Sequence, residues 1–206
     1  LSYFTCSNEI ATFYHRCIRD IIVKSSKLTR QSFSLIPFSI KDSPNLTING
    51  QVERWSNSFY IRYVLAGHLG SVTLPALNAN AARKDELWKT TCFEFFLAIK
   101  NKTQYWEFNM SPSGDWNVYV MDAYRQVGMR EETLIKWFPF EVQKEAKSLS
   151  LELAINLDLI IERKMPIQVG IATVIQRLNG QVTYWALVHP RPEADFHVRE
   201  GFVLEF

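Results

Sequence analysis

The spacing of hydrophobic residues changes near residue 31. Before that point, apolar side chains recur every three or four positions, which is the period of an amphipathic helix. Ser7 or Asn8 precedes this run as a candidate helix cap, and the polar segment 24–31 follows it. We therefore predict that residues 1–31 form an N-terminal extension with one amphipathic helix and a linker. The apolar residues of this helix are Ile10, Phe13, Tyr14, Cys17, Ile18, Ile21 and Ile22.

From residue 32 onward the hydrophobic period is two, as in β-strands with one buried face. The runs 149–157 and 167–175 alternate most clearly, and we predict central strands there whose odd-numbered residues face the core. The Asn-Gly pair at 179–180 lies between two alternating runs and predicts a hairpin, and the pair at 49–50 is a further turn signal. Residues 32–206 are therefore predicted to form an all-β domain, a jelly-roll-like antiparallel β-sandwich.

The composition fits one globular domain without a nucleic-acid or membrane partner. The chain has 206 residues, of which 47% are hydrophobic and 14% aromatic, enough for a substantial core. Its net charge is only +2, and the Lys and Arg residues are scattered rather than gathered into a basic stripe. No segment approaches the ~20 apolar residues of a membrane-spanning helix.

The cysteines indicate a reducing compartment. Cys6, Cys17 and Cys92 cannot all pair with one another, and their spacing matches no zinc-binding pattern. Cys92 lies in an apolar run, where we expect a buried and reduced thiol. No basic segment followed by an apolar one marks a signal peptide. We therefore expect a cytoplasmic protein.

No sequence motif marks a catalytic centre. The four histidines lack metal-ligand spacing, and the nucleophile-elbow, Walker and dinucleotide-binding patterns do not occur. Glu94 and Glu107 could act as an acid and a base, but two carboxylates on neighbouring strands are common by chance. We therefore expect a protein that is not an enzyme and that holds no cofactor.

An aromatic-rich stretch over residues 85–124 is the best candidate for a binding surface. Alternation places Glu94 on one face of its strand, and it gives Tyr105, Glu107 and Asn109 a common face on the following strand. If these two strands pair, the four side chains meet on one polar and aromatic face. Aromatic rings stack on the C–H faces of sugars, while carboxylates and amides bind the hydroxyl groups.

Two alternatives compete with this interpretation. The polar and aromatic face could simply be solvated. The tryptophans could serve the core, since each buries a large apolar area; we expect this of Trp106, Trp137 and Trp185. For Trp88, which lies among charged residues, exposure at the entrance of a strand is as well supported as burial.

Four segments of the sequence resemble bacterial DOMON-like domain proteins. These proteins are relatives of the haem- and sugar-binding DOMON domains and of family 9 carbohydrate-binding modules. The resemblance implies a β-sandwich that binds a small ligand, and it spans roughly residues 33–206. It rests on FSLIPF (33–38), DELWKTTCFEFFL (85–97), YWEFNMSPSGDWNVYVMDAYR (105–125) and YWALVHPRPEADFHVREGFVLEF (184–206).

The resemblance also implies a set of ligand-binding residues. The W-x5-E pattern of the sugar-binding modules, which supplies a stacking ring and a hydroxyl-binding acid, is matched by Trp88 and Glu94. Where the next strand of those modules has an arginine two residues before an asparagine, this chain has Glu107 before Asn109, which reverses the charge. Their second stacking tryptophan falls near Phe196 and His197. The predicted ligand-binding residues are Trp88, Glu94, Tyr105, Glu107, Asn109, Phe196 and His197.

These observations predict a non-catalytic protein that binds a small ligand, with a carbohydrate or a related polar molecule as first choice. One alternative is a haem-binding redox module, because haem-binding DOMON domains use a methionine with a histidine or a lysine as axial ligands. The other is a structural or protein-interaction domain without a ligand, and the sequence names no protein partner. The available haem ligands are Met110, Met121 or Met129 with His189 or His197.

Overall fold

The computed structural model describes residues 28–39, 45–125 and 129–206. Within these residues the chain forms twelve β-strands, and helical structure is limited to three short 3₁₀ helices, Leu69–Ser71, Leu87–Lys89 and Arg199–Gly201. The strands are β1 (Thr29–Pro37), β2 (Leu46–Trp55), β3 (Ser58–Gly67), β4 (Cys92–Ile99), β5 (Tyr105–Met110), β6 (Trp116–Met121), β7 (Arg130–Glu131), β8 (Phe140–Lys144), β9 (Ser148–Asn156), β10 (Ile167–Gln176), β11 (Val182–Ala186) and β12 (Leu204–Glu205).

The strands form one continuous antiparallel sheet that curls on itself. Their order is β7-β6-β5-β4-β10-β11-β1-β2-β3-β9-β8, and β12 pairs with β10. The first part of β1 pairs with β2, whereas Ile36 and Pro37 pair with β11. β1 therefore joins two halves of the sheet, one containing β2, β3, β9 and β8 and the other containing β7, β6, β5, β4, β10 and β11.

Alternating apolar residues hold the two halves face to face, as in a β-sandwich. The rings of Phe59 on β3 and Phe95 on β4 stack with their centroids 5.3 Å apart. Tyr63 on β3 packs edge-on against Phe93 on β4, and its hydroxyl donates a hydrogen bond of 2.9 Å to the backbone carbonyl of Glu94. This bond satisfies the buried tyrosine hydroxyl at a point where the two halves meet.

The period-two pattern predicted the central strands correctly. On β9 the buried residues that join the core include Leu149, Leu151 and Leu153. On β10 the core-facing positions are likewise the odd-numbered ones, for example Val169 and Ile171. The hairpin at 179–180 is also confirmed, because β10 and β11 pair on either side of it with Gln176 opposite Val182.

The Asn-Gly pair at 49–50, expected to be a turn, lies inside β2 instead. Gly50 is opposite Tyr63 on β3, and a Cβ atom there would lie 2.0 Å from the carbonyl oxygen of Arg62 and 2.3 Å from the ring of Phe33. Glycine is therefore required by close packing rather than by a turn. Trp137, expected in the core, is 48% exposed, whereas Trp106 and Trp185 are buried as predicted.

The N-terminal extension falls almost entirely outside the described residues. The predicted helix lies in residues 1–27, so that prediction stays open. β1 begins at Thr29, and Gln31 pairs with Val52. The domain therefore starts three residues earlier than the boundary predicted at residue 32, because Thr29–Gln31, assigned to a linker for their polarity, find partners on the neighbouring strand. Cys92 is a buried free thiol, as predicted.

Candidate functional site

The register of β4 and β5 gathers the predicted polar residues on the face of the sheet that points away from the core. Glu94 on β4 lies directly opposite Asn109 on β5, and Phe96 lies opposite Glu107. Glu94 and Glu107 are therefore diagonal neighbours, close enough for their side chains to interact. We call this surface the outer face; it carries Glu94, Phe96, Tyr105, Glu107 and Asn109.

Two segments, which we call the cover segments, lie over the outer face. The first is the 3₁₀ helix Leu87–Lys89, in which Trp88 packs edge-on against Tyr119 of β6 with ring centroids 5.6 Å apart. The second is the segment 194–202, anchored by Phe202, whose ring packs over Gly170 on β10. Because the cover segments exclude water, the outer face is buried rather than solvated, and Glu94 is only 2% exposed.

A cavity of about 470 Å³ remains between the outer face and the cover segments. This volume lies within the range of roughly 300–1,000 Å³ that is typical of small-molecule sites. Aromatic and sulfur-containing side chains form about half of the wall, and its charged or titratable groups are two carboxyls, a guanidinium and an imidazole. The lining residues are Trp88, Glu94, Glu107, Met121, Arg125, Met129, Val174, Tyr184, Ala194, Phe196 and His197.

Glu94 is the most unusual group in this cavity. Its Oε1 is buried and has no hydrogen-bond partner of normal geometry among the described side-chain atoms, and the Cys92 thiol interacts with the same carboxyl group. The arginines that could have neutralised it are engaged elsewhere: Arg62 pairs with Glu152 at 2.9 Å, and Arg125 pairs with Asp195 at 3.1 Å. A buried acceptor without a partner costs free energy, and Glu94 is one of the residues that line the cavity.

Glu107 is held in place by its neighbours. Asn109 donates a hydrogen bond of 2.7 Å from Nδ2 to Oε1 of Glu107, which leaves Oε2 directed towards His197 at 3.9 Å. Nδ1 of His197 lies 2.9 Å from the hydroxyl of Tyr105, and its backbone N–H donates to Asp195. Tyr105 and Asn109 therefore orient the lining residues without lining the cavity themselves.

Burial changes the ionisation of these groups. Removal from water raises the pKa of Glu107 to about 7, although the hydrogen bond from Asn109 acts in the opposite direction. Burial, and then the nearby charge of Glu107, raise the pKa of Glu94 well above its usual range. Burial, and then the positive charge of Arg125, lower the pKa of His197 to about 4. Near neutral pH the imidazole is therefore uncharged, and the carboxyl pair still holds protons.

Five of the seven predicted site residues line the cavity, namely Trp88, Glu94, Glu107, Phe196 and His197. Whether they bind a ligand stays a prediction. Sequence reasoning missed Arg125, Tyr184 and the cavity role of Met121 and Met129, which come from two parts of the chain, one near residues 121, 125 and 129 and the other on β11. No local pattern connects the two parts, although the YWALVHP and VMDAYR strings, which contain Tyr184, Met121 and Arg125, belong to the resembling segments.

Comparison with known proteins shows similarity of fold. No protein-family model matches the sequence, and the search of curated proteins found no match. A solved structure from Bacteroides uniformis, provisionally described as a carbohydrate-binding protein, superposes with a TM-score of 0.62 at 12% identity over 84% of each chain. A glucose complex of a family 9 carbohydrate-binding module from Caldicellulosiruptor kristjanssonii has a TM-score of 0.44 at 11% identity, covering 73% of this chain and 71% of that one. At such identities the first comparison establishes a shared all-β antiparallel fold.

The described part of the chain contains no group of three or more His, Cys, Asp or Glu side chains arranged to hold a metal ion. None of its helices is long and apolar enough to cross a membrane.

Proposed function

We propose that this protein binds a small carbohydrate, or a closely related polar ligand, in the cavity beside Trp88 and does not transform it. The observation that carries the proposal is Glu94, which lines a cavity with aromatic walls and whose buried Oε1 has no hydrogen-bond partner among the described residues. A ligand hydroxyl that donates to this oxygen would remove the cost of leaving it unsatisfied.

The shape and chemistry of the walls support the same ligand class. Trp88, Tyr184 and Phe196 offer rings on which the C–H face of a sugar can stack. The carboxyls of Glu94 and Glu107, when protonated, both donate and accept hydrogen bonds, as the hydroxyl groups of a sugar require. A pocket with apolar walls and a few convergent polar groups is the usual design of a small-molecule site.

The fold is consistent with this role. The protein of Bacteroides uniformis that shares the fold carries a provisional carbohydrate-binding description. Membership of the bacterial DOMON-like group and the jelly-roll form of the sandwich belong to the proposal, since they rest on the resemblance of the four sequence segments. The fold that this chain shares with a protein of that description also favours a binding protein without catalysis of its own.

A glycan array probed with the wild type and two tryptophan variants tests the proposal. We expect saturable binding of at least one saccharide by the wild type. Trp88→Ala removes a wall of the cavity and should weaken that binding about tenfold, equivalent to ~1.4 kcal/mol. Trp137→Ala is the matched control, because Trp137 is exposed and lies outside the cavity lining. Absence of binding to every glycan, or equal binding by the Trp88 variant, would contradict the proposal and favour a domain without a sugar ligand.

The geometry gives the haem alternative less support. Met121 and Met129 line the cavity together with His197, but Nε2 of His197 faces the carboxyl of Glu107 and Nδ1 contacts the hydroxyl of Tyr105. Of the other candidates, Met110 belongs to the core, and His189 contacts the backbone carbonyl of Ile36. Nδ1 of His197 is therefore engaged and Nε2 lies beside a carboxyl group, and we derive no role that involves a haem. A haem absorption band in the purified protein would reverse this preference.

A further inference from the structure

The paired carboxyls in the cavity have no positive partner in the described part of the chain. The ion pairs formed there include only one contact to Glu107, from His197 at 3.9 Å, and none to Glu94. His197 is uncharged near neutral pH, since burial lowers its pKa to about 4. Two acidic groups that lie close together in a water-poor site are costly to ionise unless a cation accompanies them.

Arg125 does not supply the positive charge that the carboxyl pair lacks. Its Nε and Nη2 atoms both contact Oδ1 of Asp195, at 3.3 and 3.1 Å, so the guanidinium is already paired. Its side chain is 54% exposed, which places the charge at the solvent side of the cavity. The inner part of the cavity therefore combines two carboxyl groups that lack a cationic partner with the aromatic faces of Trp88 and Phe196.

We propose that the cavity selects a ligand that carries an ammonium group, an amino sugar rather than a neutral sugar, with the ammonium placed between Glu94 and Glu107. This inference rests on the proposed carbohydrate function and names the substrate class of the same site. An ammonium group has three N–H donors, which match the unsatisfied Oε1 of Glu94 and Oε2 of Glu107. Its charge is also attracted to the faces of the aromatic walls.

The proposal requires proton release on binding. The carboxyl pair holds protons near neutral pH because burial raises the pKa of Glu107 to about 7 and the pKa of Glu94 well above its usual range. An arriving ammonium favours the ionised carboxylates, so protons leave the pair as the ligand binds. A neutral sugar has no such effect.

The other groups that face the pair do not titrate in the same range. Burial raises the pKa of Cys92, Tyr63 and Tyr119 well above neutrality and that of Tyr105 to about 12. Burial would raise the pKa of Asp195, but hydrogen bonds from Tyr124 and His197 and the charge of Arg125 outweigh it, so this pKa is lowered. The carboxyl pair is thus the group in the described part of this cavity that changes charge near neutral pH.

Isothermal titration calorimetry with matched sugars tests the inference. The probes are glucose, its 2-amino, 3-amino and 6-amino deoxy derivatives, and N-acetylglucosamine, at about pH 6.5, where the amines are protonated. We expect at least one amino sugar to bind about tenfold or more tightly than glucose, as charged hydrogen bonds are stronger than neutral ones. We expect N-acetylglucosamine, in which the charge is removed, to lose this gain. Titration in two buffers of different ionisation enthalpy should reveal protons released by the amino sugar.

Glu107→Gln should abolish most of the preference for the amino sugar over glucose, because the amide keeps the shape of the carboxyl and removes its charge. Glu205→Gln is the control, because Glu205 is an exposed glutamate outside the cavity lining. Circular dichroism shows whether each variant folds. If glucose binds as well as every amino sugar, the inference is wrong and the proposed function stands. If no saccharide binds in any experiment, both are wrong.

Discussion

Glu107 links the ligand site to the stability of the fold. Its pKa is about 7 in the folded protein, against an ordinary value of 4.5, because burial disfavours the charged form. Between these two pH values the folded state binds more protons than the unfolded state, so the contribution of Glu107 to stability decreases as the pH rises. His197 acts in the opposite sense. Its pKa is lowered from the ordinary 6.5 to about 4, so below pH 6.5 the unfolded state binds more protons and the folded state loses stability as the pH falls.

Replacement of Glu107 by Gln tests this contribution. The variant lacks the titrating group but retains His197, so the difference in unfolding free energy between the two proteins reports Glu107 together with its effect on the pKa of Glu94. We expect the variant to gain stability relative to the wild type as the pH rises from about 4.5 to about 8, by on the order of 3 kcal/mol at most. Urea denaturation at several pH values measures the difference. A difference that does not change with pH would show that Glu107 is ionised and solvated in the folded protein.

The cover segments turn the outer face of the sheet from an open surface into the wall of a cavity. The segment 194–202 carries Phe196 and His197, and it is fixed to the sheet where Phe202 packs against Phe96 and Tyr105. This packing depends on Gly170, because a Cβ atom there would lie 2.7 Å from Cδ1 of Phe202. Closure of the cavity by this segment therefore requires glycine at position 170 on β10.

Gly170→Ala should displace the Phe202 ring and with it the cover segment. We expect a loss of stability of about 1–3 kcal/mol from overpacking, accompanied by ligand binding that is weaker by about tenfold. Gly201→Ala is the control, because no atom lies within 4 Å of the Cβ position at Gly201. Thermal denaturation and calorimetric binding measure the two effects. Unchanged binding by a folded Gly170 variant would mean that the segment does not shape the site.

Local pattern predicted the strands and the shared polar face, but not the closure of the cavity. Alternation alone was enough to place Glu94, Glu107 and Asn109 together, because side-chain direction in a strand depends only on position. Burial of that face depends on a segment distant in sequence, the one that carries Phe196 and Phe202, and no local period encodes its position. Gly50 was misread for a related reason: an Asn-Gly pair is a turn signal unless a distant ring, here that of Phe33, occupies the space of the missing side chain.

The whole domain depends on β1, which joins the two halves of the sheet. Thr29 to Leu35 pair with β2, and the end of the same strand pairs with β11. Residues 1–27 are not among the residues that the structure describes. That residues 1–30 form a separate element with few core contacts stays a prediction for this part, whereas Thr29 and Arg30 pair with β2.

Deletion of residues 1–27 should change Tm by less than about 3 °C, which corresponds to roughly 1 kcal/mol for a domain of this size. Deletion of residues 1–37 provides the contrast, because it removes β1 and should abolish cooperative unfolding. Differential scanning calorimetry compares the two. Loss of folding in the shorter deletion would show that Ile10, Phe13 and Ile21 complete the core.

The central claim is that a saccharide binds in the cavity beside Trp88, and fluorine NMR of protein labelled with fluorotryptophan tests it most directly. The chain has six tryptophans, so six resonances are expected, and single substitutions assign those of Trp88 and Trp137. Titration with the saccharide that binds best should shift the Trp88 resonance in a saturable manner and leave that of Trp137 unchanged. Saturable binding that shifts Trp137, or that leaves Trp88 unaffected, would contradict the claim.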